Sequence, residues 1–121
     1  MSIQHITHEG KAIMYADYSA CKQSDQQLAL LEEVAVEIAK TPEPTLLLVS
    51  YEGVSGGIAY MNRLKELGNT VFKEHMKCSA VLGINGIKKI LFNGYNRATG
   101  ATNVSAFDSR DEALDWLVKF E

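Results

Sequence analysis

The chain has 121 residues, of which 46% are hydrophobic, and its formal net charge is −3 at pH 7. This size and composition suit a single globular domain over residues 1–121 with one core. The negative charge, and the lack of a basic stripe with interleaved aromatic residues, argue against nucleic-acid binding. The apolar runs are far shorter than the roughly 20 residues of a membrane span, and the amino terminus lacks a signal-peptide pattern. We therefore expect a cytoplasmic protein.

The amino-terminal third predicts a β-hairpin followed by a helix. Strands are expected over 3–8 and 11–18, around Glu9-Gly10, because glycine can take the positive φ that a tight hairpin requires. Residues 24–27 read Ser-Asp-Gln-Gln, which has the form of a capping box and predicts a helix start. Apolar residues then repeat at helical spacing, namely Leu28, Leu31, Val34, Ala35 and Ile38. The Thr-Pro-Glu-Pro sequence at 41–44 ends this helix.

The central segment predicts a buried strand, a polar loop and an amphipathic helix. The strand is Thr45–Ser50, and the helix follows Ser55-Gly56-Gly57. Gly68 closes the helix and is expected in the left-handed C′ position. The residues expected near its inner face are Ile58, Met61, Leu64, Lys65 and Leu67. A further helical turn or two is expected over Thr70–Met76, with Val71 and Phe72 directed inward.

The carboxyl-terminal part predicts two more strands and two more helices. A buried strand covers 78–84, and Asn85-Gly86 ends it. A third helix is marked by Ile87, Ile90, Leu91 and Tyr95. Gly100 separates that helix from a short strand over 102–107. The sequence Ser-Arg-Asp-Glu at 109–112 is a second capping box. The last helix is expected to face the sheet with Ala113, Leu114, Leu117 and Phe120.

This order of elements predicts the fold class. Two short strands followed by α-β-α-β-α-β-α indicate a single α/β domain with a mainly parallel, mixed sheet of about five strands. Helices pack on the sheet through right-handed crossovers. The position of the amino-terminal hairpin stays open, because it can add at either edge of the sheet.

Neither a metal site nor a cofactor is expected. Cys21 and Cys78 are predicted to be free thiols, as is usual in a reducing compartment. The three histidines, His5, His8 and His75, do not form a metal-ligand spacing with either cysteine.

In α/β sheets the loops at the carboxyl ends of the strands usually carry the function. We call this set of loops the loop edge. Its candidate residues for binding a partner or ligand are Asp17, Tyr18, Tyr51, Glu52, Ser55 and Asn85. The alternative is that they are ordinary polar loop residues and helix caps.

Three kinds of enzyme are poorly supported by the residues. A phosphoacceptor receiver needs paired acidic residues and a third aspartate at the ends of its strands. Here Asp17 stands alone, and no aspartate comes directly after the strands that contain Val49 and Leu82. Residues 53–57 are glycine-rich but lack the full dinucleotide or P-loop pattern. Ser55 lies in a Gly-Val-Ser-Gly-Gly sequence, which has the GxSxG spacing, but no histidine is well placed to activate it. Binding is therefore better supported than catalysis.

Four segments carry a resemblance to a known family. They are the Tyr-Ala-Asp-Tyr sequence at 15–18, the strand–loop–helix at 45–68, the Ala-Val-Leu-Gly-Ile-Asn-Gly-Ile sequence at 80–87, and the terminal 107–117. Together they resemble the STAS superfamily, especially its SpoIIAA-like, anti-sigma-factor-antagonist-like branch, with CRAL-TRIO-like character. The resemblance covers most of the chain and implies a non-enzymatic regulatory or ligand-binding module.

The resemblance also implies a phosphorylation site. In the antagonist proteins, a partner kinase phosphorylates a serine at the start of the helix after a central strand, which switches partner binding. Ser55 is the positional match, although Gly53-Val54 stands where the family has an aspartate just ahead of the serine. A phosphoryl group, with roughly −1.5 to −2 charges, suits a helix amino terminus.

Two functions follow from these observations. The first is a bacterial regulatory protein that contacts a protein partner, such as a kinase or signalling regulator, through residues 51–57, acting as a small homo-oligomer such as a homodimer. The second is a carrier of a small apolar or lipid-like ligand held between helices and sheet. Met61, Phe72 and Met76 would line its pocket.

Overall fold

The computed structural model describes residues 3–54, 57–84 and 87–120. Ten elements follow one another along the chain. They are β1 Ile3–His8, β2 Lys11–Asp17, α1 Ser24–Lys40, β3 Thr45–Ser50, α2 Ile58–Gly68, α3 Val71–His75, β4 Met76–Leu82, α4 Ile87–Thr99, β5 Val104–Phe107 and α5 Arg110–Lys119. Within the described residues, no helix is long and apolar enough to cross a membrane.

The strands form one five-stranded mixed sheet in the order β1-β2-β3-β4-β5. Strand β1 is antiparallel to β2, and every other neighbouring pair is parallel. The predicted α/β class with a single, mainly parallel sheet is therefore confirmed. The hairpin lies at the β2 edge, and Glu9 and Gly10 both have positive φ, of 48° and 80°, as a two-residue turn of type I′ requires.

The helices cover both faces of the sheet unequally. Each parallel connection steps one strand in the same direction, so right-handed crossovers place α1 to α4 on one face. On that face, which we call the helix-layer face, Leu47 and Val49 pack with α1, α2 and α3. On the opposite face Leu46 and Leu48 pack against α5. All six residues of β3 are buried, as expected for a parallel strand covered on both sides.

A register shift moves Met76 to the helix-layer face. The pairing of β4 with β3 slips between Thr45 and Leu46, where Met76 and Cys78 are the partners. Met76 and Cys78 are two residues apart and would share a face in a regular strand. Because of the shift, Met76 packs in the core cluster of the helix-layer face and Cys78 in that of the α5 face. The strand begins at Met76, so its predicted start at residue 78 was two residues late, because Met76 was assigned to the preceding helical turn.

The first predicted capping box is displaced by one residue. Helix α1 has Gln23 as its N-cap, and the backbone N–H of Gln23 donates to Gln26 Oε1 at 3.1 Å. Gln27 is turned inward and buried, and its Nε2 donates to the carbonyl of Cys21 at 3.1 Å. The helix start predicted at Ser109 is confirmed, since Glu112 N donates to Ser109 Oγ at 3.2 Å; the Glu112 carboxylate accepts from Ser109 Oγ at 3.0 Å.

Two expectations for α2 were wrong. Gly68 does not have a positive φ and is the last residue of the helix, with Asn69 as the C-cap. A Cβ at Gly68 would lie 2.5 Å from Tyr95 Oη, so glycine there serves close packing of α2 on α4. Ile58, which was expected on the inner face, is 83% exposed, whereas Tyr60, which was not, is only 1% exposed.

Strand β5 begins at Val104 rather than at the predicted residue 102.

Candidate functional site

The loops after β3 and β4 are in direct backbone contact at the loop edge. The N–H of Tyr51 donates to the carbonyl of Leu82 at 3.0 Å. Gly83 has a φ of +81°, and a Cβ there would lie 2.7 Å from the backbone nitrogen of Glu52. Both the positive φ and this close approach require glycine. These contacts fix where the chain leaves the sheet, so they also fix the position of Tyr51.

The predicted site residues do not all lie on the surface. Asp17 is half-buried, and its Oδ1 accepts from the N–H of Ser19 at 2.9 Å. Tyr51 is half-buried and Glu52 is exposed, while Tyr18 is only 2% exposed. The remaining two candidates, Ser55 and Asn85, lie outside the described residues, so the predicted phosphoacceptor stays a prediction.

Three tyrosines pack together beneath the loop edge, and we call Tyr18, Tyr51 and Tyr60 the tyrosine cluster. Their ring centroids are 5.0, 5.6 and 6.1 Å apart. The hydroxyls of Tyr51 and Tyr60 are 2.7 Å apart and share a hydrogen bond in which either can donate. Burial raises the pKa of all three phenols, and for Tyr18 and Tyr51 the hydrogen bond with Tyr60 opposes this rise in pKa. The cluster therefore stays neutral and disfavours a nearby negative charge.

A cavity of about 90 Å³ lies between the helix layer and the sheet, partly open to solvent. We call it the helix-side cavity. Its lining is contributed by β3, β4 and β5 on one side and by α2, α3 and α4 on the other, including Leu47, Val49, Val81, Leu64, Phe72 and Phe92. Met61, Phe72 and Met76, the three residues that the sequence suggested for a pocket, all line it.

The polar atoms of the lining are hydroxyls. Tyr51 and Tyr60 of the tyrosine cluster line the cavity, as do Tyr95 and Ser79. Burial raises the pKa of Tyr95 to about 12. No Asp, Glu, His, Lys or Arg occurs among the lining residues that the structure describes. Because a buried charge without a partner is costly, the helix-side cavity suits a neutral apolar group.

The sequence did not indicate Tyr60, Tyr95 or Phe92 as site residues. Tyr60 was missed because the inner face predicted for α2 did not include it. Phe92 and Tyr95 are three apart on α4, a spacing that places both on one helical face and that could have identified them.

The two cysteines offer no reactive thiol. Both are free and buried, and they belong to the core clusters of opposite faces of the sheet. Burial raises the pKa of Cys78 to about 11, which keeps this thiol protonated and unreactive at neutral pH.

A small polar cluster lies far from the cavity, where the hairpin meets α5. His8 Nε2 is 3.0 Å from Asp115 Oδ1 and 3.4 Å from Glu9 Oε2. One ligand atom from each of the three residues lies within 4.8 Å of the others, so they could hold a metal ion. The sequence could not show this cluster, because His8 and Asp115 are 107 residues apart. The contact between His8 and Asp115 connects the hairpin to α5.

Two large apolar side chains are exposed at the loop edge. Ile58 is 83% exposed and Ile90 is 70% exposed, and they lie in the first turns of α2 and α4. Both helices begin at the carboxyl ends of their parallel strands, so both residues lie at the same edge of the sheet.

Fold and site together define an α/β protein with one five-stranded mixed sheet and an apolar, partly open cavity under its helix layer. Comparison of the chain with family models, with curated proteins and with solved structures finds no match. The function must therefore be inferred from the site itself.

Proposed function

We propose that this protein is a non-enzymatic binding module that holds a small apolar ligand in the helix-side cavity. The observation that carries this proposal is the cavity itself, with its apolar walls and its neutral hydroxyls. Apolar pockets with a few convergent polar groups are the usual form of small-molecule sites. The absence of charged groups among the described lining residues favours binding over acid–base or nucleophilic chemistry.

The volume sets the size of the group that fits. An engineered apolar cavity of about 150 Å³ binds benzene. The helix-side cavity, at about 90 Å³, therefore holds a group of roughly half to two-thirds the size of benzene, such as an alkyl group of about four carbons. Burial of each CH₂ contributes about 0.8 kcal/mol. A ligand confined to the cavity would therefore bind weakly, and a tighter ligand must extend beyond it.

The test uses linear alcohols from 1-butanol to 1-octanol as probes and measures their binding by thermal shift and by ligand-observed NMR. We expect the thermal shift to rise with chain length. The Val81→Phe variant fills the cavity from β4 and should abolish binding, with Leu64→Phe as a milder alternative at a half-buried position. Val36→Phe, at an exposed position of α1, is the matched control and should bind as the wild type does, because Val36 does not line the cavity.

Native mass spectrometry of protein purified gently from its host gives an independent readout, because a resident ligand adds mass. A clean apo mass, together with no thermal shift for any alcohol, would exclude this function.

A second candidate function is protein binding at the loop edge, favoured by the exposed Ile58 and Ile90. The resemblance to the STAS superfamily supports it, and we propose a STAS-like, SpoIIAA-like regulatory module with Ser55 as its phosphoacceptor. Exposed apolar side chains at one edge are typical of a partner surface.

Pull-down from a host lysate tests this second candidate. Ile58→Asp should remove a partner that the wild type captures, whereas Val36→Asp, which changes a 53% exposed valine on α1, should not. Equal partner profiles for the two variants would exclude the surface. A phosphate mass increment that disappears in Ser55→Ala would support phosphoregulation.

A further inference from the structure

A polar groove adjoins the helix-side cavity on the side of β5. The groove has a volume of about 370 Å³ and runs between α3, the end of α4 and the segment that leads into β5. Four residues line both the groove and the cavity, namely Phe72, Met76, Tyr95 and Val104. A wall one side chain thick therefore separates the two spaces.

The two spaces differ in their chemistry. The described lining of the groove contains one charged side chain, Lys73, and the polar residues Thr99, Thr102 and Asn103. It contains no acidic residue within the described chain. The helix-side cavity has apolar walls and no charge. An apolar space adjacent to a polar, cationic one matches a molecule with an alkyl tail and an anionic head.

We propose that the groove and the cavity together bind a medium-chain carboxylic acid, with its alkyl end in the cavity and its carboxylate in the groove beside Lys73. This inference rests on the proposed ligand-binding function and names the chemical class of the ligand. About four carbons fill the cavity and a similar number cross the wall, so a chain of about eight carbons fits.

Two side chains of the wall, Phe72 and Met76, can move aside. Met76 is 9% exposed and stands at the register shift between β3 and β4. Methionine has three rotatable bonds and adapts to irregular spaces. Phe72 belongs to the five-residue helix α3, which connects α2 to β4. Rotation of these two side chains joins the cavity to the groove without any change in the sheet.

The other end of the cavity is unsuitable for a carboxylate. The Tyr51 and Tyr60 hydroxyls lie 2.7 Å apart, and burial raises the pKa of both phenols. A carboxylate placed there would meet the same desolvation cost as a phenolate. The groove keeps the head in water, where Lys73 is exposed and supplies a positive charge. A neutral alcohol is not subject to this preference and can bind in either direction.

Octanoate and 1-octanol, two probes of equal length, separate the head group from the tail. We measure their dissociation constants by ligand titration monitored by NMR, below the concentration at which octanoate aggregates. Lys73→Gln should weaken octanoate binding roughly two- to fivefold, the range expected for an exposed ion pair, and should leave 1-octanol unchanged. Lys77→Gln is the matched control, since Lys77 is exposed and lines neither space.

Amide shift changes provide a second measurement on the wild type alone. Octanoate should perturb Val81 in the cavity and Lys73 and Asn103 in the groove. Equal affinities of Lys73→Gln and Lys77→Gln for octanoate, or shift changes that spare the groove, would overturn the carboxylate assignment. Binding of 1-octanol that Val81→Phe abolishes would still support the helix-side cavity as a ligand site. If the wild type binds neither probe, both the inference and the proposed function fail.

Discussion

Gly68 lies where α2 packs closely against α4. A Cβ built at this glycine would lie 2.5 Å from Tyr95 Oη and 3.0 Å from Thr99 Cγ2. Tyr95 is 7% exposed and lines the helix-side cavity, so its ring has little room to withdraw. The size of residue 68 thus determines where one wall of the cavity stands.

We predict that Gly68→Ala lowers the free energy of unfolding by about 1 to 2 kcal/mol. The overpacking cost, about 1 to 3 kcal/mol, exceeds the gain of about 0.5 to 1 kcal/mol from replacing a helical glycine. Urea denaturation measures the change. The matched control is Gly94→Ala in α4, where a Cβ meets nothing within 4 Å, and which should stabilise the protein. Equal effects of the two substitutions would show that the contact with Tyr95 is unimportant.

At the scale of the elements, the amino-terminal hairpin secures the carboxyl end of the last helix. Lys11 Nζ donates to the carbonyl of Val118 at 2.7 Å, and His8 lies 3.0 Å from Asp115 on the same helix. The last carbonyls of a helix have no partner within the helix, and a cation near them is favourable. The lysine of β2 therefore caps α5 across 107 residues of sequence.

We predict that Lys11→Met frays the last turn of α5, at a cost of about 0.5 to 1.5 kcal/mol for the lost hydrogen bond. Hydrogen exchange should accelerate at the amides of Leu117 and Val118, with little change in α1. Lys119→Met is the control, because Lys119 is exposed in the same turn and should leave that exchange nearly unchanged. Unaltered protection in Lys11→Met would refute the capping role.

The elements that the sequence predicted well are those specified by local signals. Strand β3 was predicted with its observed bounds, because it is a run of apolar residues between a proline and a polar loop. The hairpin followed from Glu9-Gly10, and the start of α5 followed from Ser109. In each case the residues that determine the structure are neighbours in sequence.

The predictions that failed depend on contacts between distant residues. The role of Gly68 is set by Tyr95, which lies on another helix. The sheet face on which Met76 lies is set by the pairing with β3. Gln27 is turned inward because it donates to the carbonyl of Cys21. The loop edge was predicted from the general rule for parallel sheets. The neutral lining of the cavity could not be predicted from the sequence, because Tyr51, Tyr60 and Tyr95 come together only in the folded chain.

At the scale of the whole molecule, the protein keeps four of its five tyrosines in one neutral region of the helix-layer core. Burial is the main cause of the raised pKa of Tyr18, Tyr51, Tyr60 and Tyr95. In the unfolded chain a tyrosine loses its proton near pH 10. The folded state therefore binds more protons than the unfolded state above that pH, and its stability must fall as the pH rises.

We predict that the free energy of unfolding begins to fall above about pH 8.5, because Cys78, whose pKa burial raises to about 11, then ionises only in the unfolded chain. It declines steeply above about pH 10, where the tyrosines of the unfolded chain also ionise. Each tyrosine still protonated in the folded state and ionised in the unfolded state contributes about 1.4 kcal/mol per pH unit. Tyr95, with its pKa of about 12, continues to contribute up to that pH. Urea denaturation at successive pH values measures the slope, and absorbance at 295 nm records the phenolates.

The Tyr60→Phe variant tests whether the tyrosine cluster causes the loss of stability at high pH. It removes one titrating phenol and the hydroxyl that lies 2.7 Å from that of Tyr51. At pH 7 it should cost about 1 kcal/mol, and above pH 10 its stability should decline less steeply than that of the wild type. If instead all the phenolate absorbance of the wild type develops near pH 10 while the circular dichroism stays native, the region is open to hydroxide. A neutral, buried tyrosine cluster would then be excluded.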